Sequence, residues 1–389
     1  TARRYRCRMS TVYDVIVAGL GAMGSLTTYQ LARRGHRVLG LERFTPPHAM
    51  GSSHGHSRII REAYFEDPRY VPLVQHAYRL WADLEAASGS TLFRQTGGLM
   101  LGPPDGALVR GARLSAELHH LPHEILSADT IAQRFPAFRP PADMIGVWEP
   151  RAGILSPETC IASALNVAKA HGAEVHTGET LLGWNDIPGG VEVVTTAGRY
   201  RAASLVITVG AWTRELVQEL ALPLVVQRNV QCWFSPRRSP AHFAPGALPI
   251  FIGEYAPDAP AWYGFPDMGD GLKVALHHHG ALVDPDTIAR DVAEEDVAGV
   301  RAILERYMPD ANGALRNSAV CMYTIAPDEH FVLGRHPAND AVIVASPCSG
   351  HGFKFASVIG DMLADMATGR ETAFDISWWG LQRFGHANP

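Results

Sequence analysis

The sequence predicts a two-domain α/β protein, and three observations carry that reading. A glycine-rich turn separates an apolar run from a helix-like run within residues 13 to 43. Short apolar runs alternate with amphipathic ones over much of the chain. The stretch from about 227 to 320 breaks this alternation, being richer in proline, aromatics and turns, and reads as a β-rich second domain. A chain of 389 residues is too long for one small core, so two domains are expected.

The elements follow in order. Val15 to Ala18 has the continuous apolarity of a strand buried on both faces of a parallel sheet. Gly19, Gly21 and Gly24 then fall in G-x-G-x-x-G spacing. The first permits a tight turn, the second lets backbone approach phosphates, and the third lets helix and strand pack closely. Ser25 to Arg34 reads as the helix, Gly35 ends it, and His36 to Leu41 is the next strand. Glu42 stands about 20 residues beyond the fingerprint, where a carboxylate accepts hydrogen bonds from ribose hydroxyls. Arg43 beside it is assigned to the same cofactor site. The unit binds a dinucleotide. The acid argues against a 2′-phosphate but does not separate NAD from FAD.

Further on, Arg69 to Ala87 places Leu73, Ala77, Leu80, Trp81 and Leu84 on one side of a long helix. The segment PAFRPPADM (136–144) is punctuation, and Thr159 to His171 is a second helix. Short strands are expected at 173–179, 190–197 and 204–210. The last, ending at Gly210, is of the kind that returns to the dinucleotide sheet. Lys273 to His277 is strand-like, and DAVIVAS (340–346) is a buried strand followed by a helix from Phe353 to Ala367.

Composition excludes several functions. Hydrophobic content is 47%, the charged fraction 19% and the net charge -5, so neither nucleic acid nor an anionic membrane is an expected partner. No apolar run approaches the roughly 20 residues that cross a bilayer. Cys7, Cys160, Cys232, Cys321 and Cys348 are odd in number and never in C-x-x-C spacing, which suggests neither a disulfide framework nor zinc and fits a reducing cytoplasm. The consecutive residues His277, His278 and His279 are expected to alternate faces of a strand, so no metal is expected. Residues 1–8 are arginine-rich and lack the apolar core of a secretion signal.

Four motifs make a family resemblance specific: GSSHGHSRIIREAY (51–64), YGFPDMGDGLK (263–273), AVCMYTIAPDEHFVLGRHP (319–337) and SGHGFKFASVIG (349–360). Together they resemble the monomeric sarcosine oxidase family, which includes N-methyltryptophan and pipecolate oxidases, from about Tyr13 to Phe384. The resemblance implies FAD held covalently through a cysteine thioether. It also implies oxidation of a secondary amino acid, with O2 reduced to H2O2. The fold expected is a Rossmann-like FAD-binding domain, discontinuous in sequence (11–94, 157–226 and 333–389). A substrate domain with a mainly antiparallel sheet fills 95–156 and 227–332.

Residue by residue, Cys321 matches the flavin-bearing cysteine; its thiolate must border the ring. Cys348, where the family more often shows a larger apolar residue, is the rival and is read as structural. Arg61 matches the carboxylate-binding arginine and Lys354 its second cation. Both lie among apolar neighbours (Ile59, Ile60, Phe353, Phe355), where an unpaired charge is costly. Lys273 matches the lysine that activates O2 by stabilising developing superoxide. Arg58 and His54 match groups near the flavin ring, His277 an active-site histidine, and Tyr263 and Tyr323 aromatics lining the substrate cavity. Gly350 and Gly352 are expected to let backbone N–H groups approach the flavin, with the following helix N-terminus stabilising negative charge.

The expected substrate is a small N-methyl amino acid, sarcosine foremost, giving glycine and formaldehyde after imine hydrolysis. N-methyltryptophan, pipecolate or proline is the alternative, as is a dehydrogenase with an acceptor other than O2. Ile252 and Gly253 fall where the family covers its substrate, and Gly253 is expected to leave extra room. The loop between Glu254 and Tyr263 departs from the family's commoner form by about one residue. The ending GHANP is not a peroxisomal address. A cytoplasmic monomer is expected, with an amino acid and O2 as its only partners.

Overall fold

A computed structural model describes residues 12–255 and 261–385. The expectations for residues 1–8 with Cys7, for positions 256–260 of the 254–263 loop, and for residues 386–389 lie outside them.

The glycine-fingerprint strand, Val12–Ala18, lies inside an eight-stranded sheet. It is flanked in parallel by Val38–Glu42, with Val17 opposite Gly40, and by Arg199–Ile207, with Val17 opposite Val206. Asn339–Ser346 adds in parallel to Arg199–Ile207, and Glu174–Thr177 to Val38–Glu42. Burial on both faces explains the continuous apolar runs: Ile16 and Val17 are fully buried. Helix Ala22–Arg33 covers one face and packs on Pro157–Ala170 and Ala356–Ala367. Its contact with the last helix is so close that a Cβ at Gly360 would meet the Leu26 backbone at 2.6 Å.

A second eight-stranded sheet runs in the order Leu315–Ile325, Val225–Phe234, Leu272–Leu276, Trp262–Phe265, Ile250–Gly253, Gly98–Gly102, Ile145–Glu149, Glu124–Ser127. It is antiparallel except where Ile250–Gly253 meets Gly98–Gly102. A small sheet of Arg58–Ile60, Gly153–Leu155 and Phe93–Gln95 lies beside them. Among the described residues no helix is long and apolar enough to cross a membrane.

The structure corrects several boundaries. The strand expected to reach Gly210 stops at Ile207, because the Thr208 hydroxyl bonds back to Ala18 O and Gly19 O and Gly210 takes φ +60° into a 3-10 turn. The helix expected from Phe353 begins as a 3-10 turn, Phe353–Phe355, and becomes α-helical at Ala356. The strand expected to include His277 ends at Leu276. Four α-helices were not foreseen: Ala107–Leu118, Ala128–Arg134, the single turn Thr213–Leu216 and Glu294–Tyr307. The last buries Val297, Val300, Ile303, Leu304 and Tyr307 at helical spacing and is flanked by acids in its first turn.

The fingerprint is tightly constrained at Gly24, where a Cβ would lie 1.8 Å from Gly19 O and 2.6 Å from Thr208 Oγ1. Gly24→Ala must therefore push the helix off the strand, at about 1–3 kcal/mol. The expected outcome is a lower thermal midpoint together with reduced flavin retention, read by calorimetry and by absorbance after gel filtration.

Candidate active site

One elongated cavity of about 470 Å³ joins the fingerprint turn to the second sheet. At one end it is lined by Gly19, Gly21, Ala22 and Met23. Gly19 takes φ +86°, and its N–H is held by Leu41 O at 2.8 Å. Gly21 presents an open face, with nothing closer to a Cβ there than Ser53 Oγ at 3.9 Å. The helix that starts at Ala22 has no side-chain cap and no acid in its first turn, so its leading N–H groups and dipole are left for an anion.

Glu42 lines the same end but is already engaged. Its Oε2 accepts from Leu20 N at 2.7 Å and its Oε1 from Phe44 N at 2.9 Å, with His48 at 3.5 Å. Burial pushes its carboxyl up, but His48 and the two N–H groups outweigh this and hold it below the usual range. The lone pairs that remain are those available to a ribose. Arg43 also lines the cavity, with its Nη1 on Asp286 at 2.7 Å and its guanidinium over Phe44 and Trp212. Gly210 lines the wall beside them.

At the other end the segment after strand Arg58–Ile60 brings Arg61 into the wall. Arg61 is 1% exposed and stacked over the Tyr64 and Phe65 rings at 4.3 and 4.5 Å. Its Nη2 donates to both Glu66 oxygens, at 2.8 and 2.6 Å, and its Nη1 to Ala63 O at 2.9 Å. Its buried Nε–H has no hydrogen-bond partner. Lys354 joins it, donating to His351 O at 2.7 Å and Tyr64 OH at 3.4 Å. Burial first, then the Arg61 charge, pull its ammonium down to about 7 against the opposing pull of Glu66. Tyr64 in turn bonds His351 Nδ1 at 2.6 Å.

The second sheet supplies an aromatic wall. Tyr323 OH meets His277 Nδ1 at 3.2 Å and donates to Tyr263 OH at 3.5 Å, with Ile252 and Phe265 alongside. Burial pushes both phenols up, and burial with the neighbouring His278 keeps His277 well below the ordinary histidine range. All three are therefore neutral near pH 7.

Cys321, Lys273 and His54 do not line the cavity; each stands against a residue that does. Cys321 Sγ lies 3.8 Å from Arg58 Nη2 and 3.6 Å from Ser52 O. Arg58 also grips Ser57 O, Ser52 O and His54 O. Burial brings His54 down to about 4, and its Nε2 is buried without a partner. Lys273 spends its donors on Gly55 O at 2.7 Å, Ser57 O at 3.0 Å and Ser57 Oγ at 3.2 Å. It sits between the Trp233 and Phe265 rings, and burial draws it well below the ordinary lysine value.

Two expectations change. Gly253 opens no room, because a Cβ there would meet the Trp262 indole at 2.3 Å: the neighbouring strand fills the space. The three histidines do not alternate across a strand; they follow its end, His278 takes φ +55°, and the His277 and His278 rings approach to 4.2 Å. Gly350 and Gly352 both line the cavity, but neighbouring protein atoms account for their lack of a side chain. A Cβ at Gly350 would meet His277 and Tyr323 at 2.9 Å, and one at Gly352 the Pro347 carbonyl at 1.9 Å. Cys348 lines the cavity with its thiol pushed up to about 11 by burial. Among the described residues no group of three His, Cys, Asp or Glu is arranged to hold a metal.

Sequence reasoning missed Glu66, Tyr64, Gln231 and Thr324. Gln231 Oε1 and Thr324 Oγ1 are buried, unpartnered and in residues lining the cavity, which suits a polar ring system between the anion cradle and the aromatic wall. Only the five-residue offset from Arg61 to Glu66 was visible beforehand, and it belongs to no regular period.

The residues thus fit FAD, and the comparisons agree. Residues 14–366 match the model of the family described as FAD dependent oxidoreductase. The chain is 43% identical to a monomeric sarcosine oxidase of Streptomyces avermitilis, covering 97% of this chain and 100% of that one. It is 36% identical to an N-methyl-L-tryptophan oxidase of Yersinia pestis, covering 96% and 99%. The solved structure of NikD, an amino acid oxidase essential for nikkomycin biosynthesis, superposes with a TM-score of 0.84 at 26% identity, covering 95% of this chain and 98% of that one. The mixed sheets, the anion cradle and these likenesses place the chain in the family of FAD-dependent oxidoreductases.

Proposed function

We propose that the protein oxidises the secondary amine of a small N-methyl amino acid, sarcosine foremost, at the expense of O2. The balance is sarcosine plus O2 plus water giving glycine, formaldehyde and H2O2, with the imine hydrolysed after oxidation. The observation that carries this reading is the pair of buried cations, Arg61 and Lys354, with an unpartnered Arg61 Nε–H, facing an aromatic wall in the same cavity as the fingerprint turn.

A substrate carboxylate has a ready donor in Arg61 Nε and gains more by competing with Glu66 for Nη2. Both cations disfavour an ammonium ion beside them, so the bound amine loses its proton more easily and offers its lone pair. The neutral His277, Tyr263 and Tyr323 add no charge that would oppose this. FAD, when bound, supplies the two-electron acceptor. We place its covalent attachment at Cys321, whose Sγ lies 3.8 Å from Arg58 Nη2 at the cavity wall. Lys273, fixed by three carbonyl and hydroxyl acceptors, offers a preorganised positive charge for reducing O2. The loss of the room expected at Gly253 favours a small substrate over a bulky one.

Anaerobic mixing with sarcosine should bleach the flavin absorbance, and admitting air should restore it with release of H2O2. Bleaching without H2O2 on reoxidation would instead indicate a dehydrogenase. Lys273→Met should slow reoxidation by O2 far more than reduction by substrate in stopped flow; equal slowing of both would remove it from the oxygen step. Cys321→Ser should release its flavin on acid precipitation, and a pellet that stays yellow would move the attachment elsewhere, with Cys348 examined next.

A further inference from the structure

One buried carboxylate has no part in the chemistry above. Glu149 ends the strand Ile145–Glu149 of the second sheet, is 2% exposed and does not line the cavity. Its Oε1 accepts the Glu62 N–H at 2.9 Å and its Oε2 the Ala63 N–H at 2.5 Å. These are the two residues that follow Arg61. Ala63 closes the loop, since its carbonyl accepts from Arg61 Nη1 at 2.9 Å. The turn that presents Arg61 is thus held from behind by two charge-assisted bonds from another sheet.

We infer that Glu149 is a positioning residue for Arg61, and that its ionised form is the one that sets Arg61 to receive a carboxylate. The inference rests on the reading of Arg61 given above. The groups facing Glu149 are Arg61 and Glu62 on the turn and Tyr78 on helix Tyr70–Ser88, while Arg151, just beyond the strand, faces Glu62. Burial pushes its carboxyl up most strongly and Glu62 adds to this; the two N–H groups and Arg61 pull it back, leaving it at about 7. Glu62 reinforces the tension, being itself buried, raised by burial and 3.3 Å from Arg151.

The sign follows directly. Above about 7 Glu149 is charged and holds both N–H groups. Below it, a proton turns one acceptor oxygen into a hydroxyl and the grip on the turn loosens, so carboxylate binding weakens. Lys354 titrates in the same range with the opposite sign, losing its charge as pH rises. His351, at about 4, and His277, lower than an ordinary histidine, stay neutral through this range. Carboxylate binding should therefore peak near neutrality, with Glu149 setting the acid limb and Lys354 the alkaline one.

The probe is butyrate, the carbon isostere of sarcosine, whose single carboxyl titrates well below this range. Its dissociation constant is read on the FAD-loaded protein from the flavin spectrum, between about pH 5.5 and about pH 8.5. The wild type should bind more weakly as pH falls below about 7. Affinity that keeps rising down to about pH 5.5 overturns the inference without any variant. Glu149→Gln should raise the dissociation constant at least tenfold at about pH 8 and abolish the acid limb, with flavin content and thermal midpoint recorded to establish folding. A constant within twofold of wild type, with the limb intact, overturns the inference. Should Glu149→Gln not fold, Glu149→Asp keeps the charge one methylene further away; it should weaken binding and keep the limb, and unaltered binding overturns the inference. Arg61→Lys separates the two claims. If it binds butyrate as the wild type does, the reading of Arg61 fails; if Arg61 matters and Glu149 does not, only the present inference fails.

Discussion

The interior of this protein is organised around positive charge that water cannot reach. Arg61, Lys273 and Lys354 are each nearly fully buried. An isolated cation in such a place would cost far more than a fold can supply, so each must be surrounded by acceptors. Each is satisfied differently. Arg61 has a bidentate carboxylate in Glu66, Lys273 a set of backbone carbonyls and a hydroxyl, and Lys354 only one carbonyl and a phenol. The degree of satisfaction tracks the use proposed for each. Lys273 is fully occupied and in the proposed chemistry would act only by its field, whereas Arg61 keeps an unpartnered Nε–H and Lys354 has one donor left for an anion.

Most of those acceptors come from turns beside a strand of the small third sheet. The turns at 52–57 and 61–66 lie on either side of the short strand Arg58–Ile60, which pairs with Gly153–Leu155. One turn supplies the carbonyls that fix Lys273 and Arg58, and the other supplies Glu66 for Arg61. Glu149 and Glu158 grip the backbone of these turns, Glu158 through the N–H groups of Gly55 and His56 and Glu149 through those of Glu62 and Ala63. Carboxylates on backbone N–H groups are thus the means by which irregular chain is made rigid enough to hold charged side chains in place.

Much of this was legible in the sequence. The apolar run at Val15–Ala18, the glycine spacing and the acid at Glu42 specify a β-α-β unit by local rules, and the unit is present with its helix starting three residues early. The helix Glu294–Tyr307 was equally legible at its Val297, Val300, Ile303 and Leu304 spacing, and was obscured by the proline- and turn-rich chain around it. Gly253 was misread because an absent side chain says nothing about which neighbour takes its volume; only the pairing with Trp262 does. Glu66 and Glu149 were out of reach for the same kind of reason. Their partners lie on irregular turns, at separations of 5 and 87 residues, where no periodicity speaks.

The way the cofactor sheet is assembled bears on how the chain is made. Its central strand, Val12–Ala18, needs Arg199–Ile207 on one side, and that strand needs Asn339–Ser346 beyond it. The fingerprint helix rests on Ala356–Ala367. On a ribosome adding roughly 5–20 residues each second, the first βαβ unit waits on the order of tens of seconds for the segments that bury it. During that time Val12–Ala18, paired on one side with Val38–Glu42, has its other edge unpaired, and the anion cradle has no wall opposite. The cofactor sheet is therefore complete only once Asn339–Ser346 and Ala356–Ala367 have been made, and until then the strand edge that Arg199–Ile207 covers depends on other shielding.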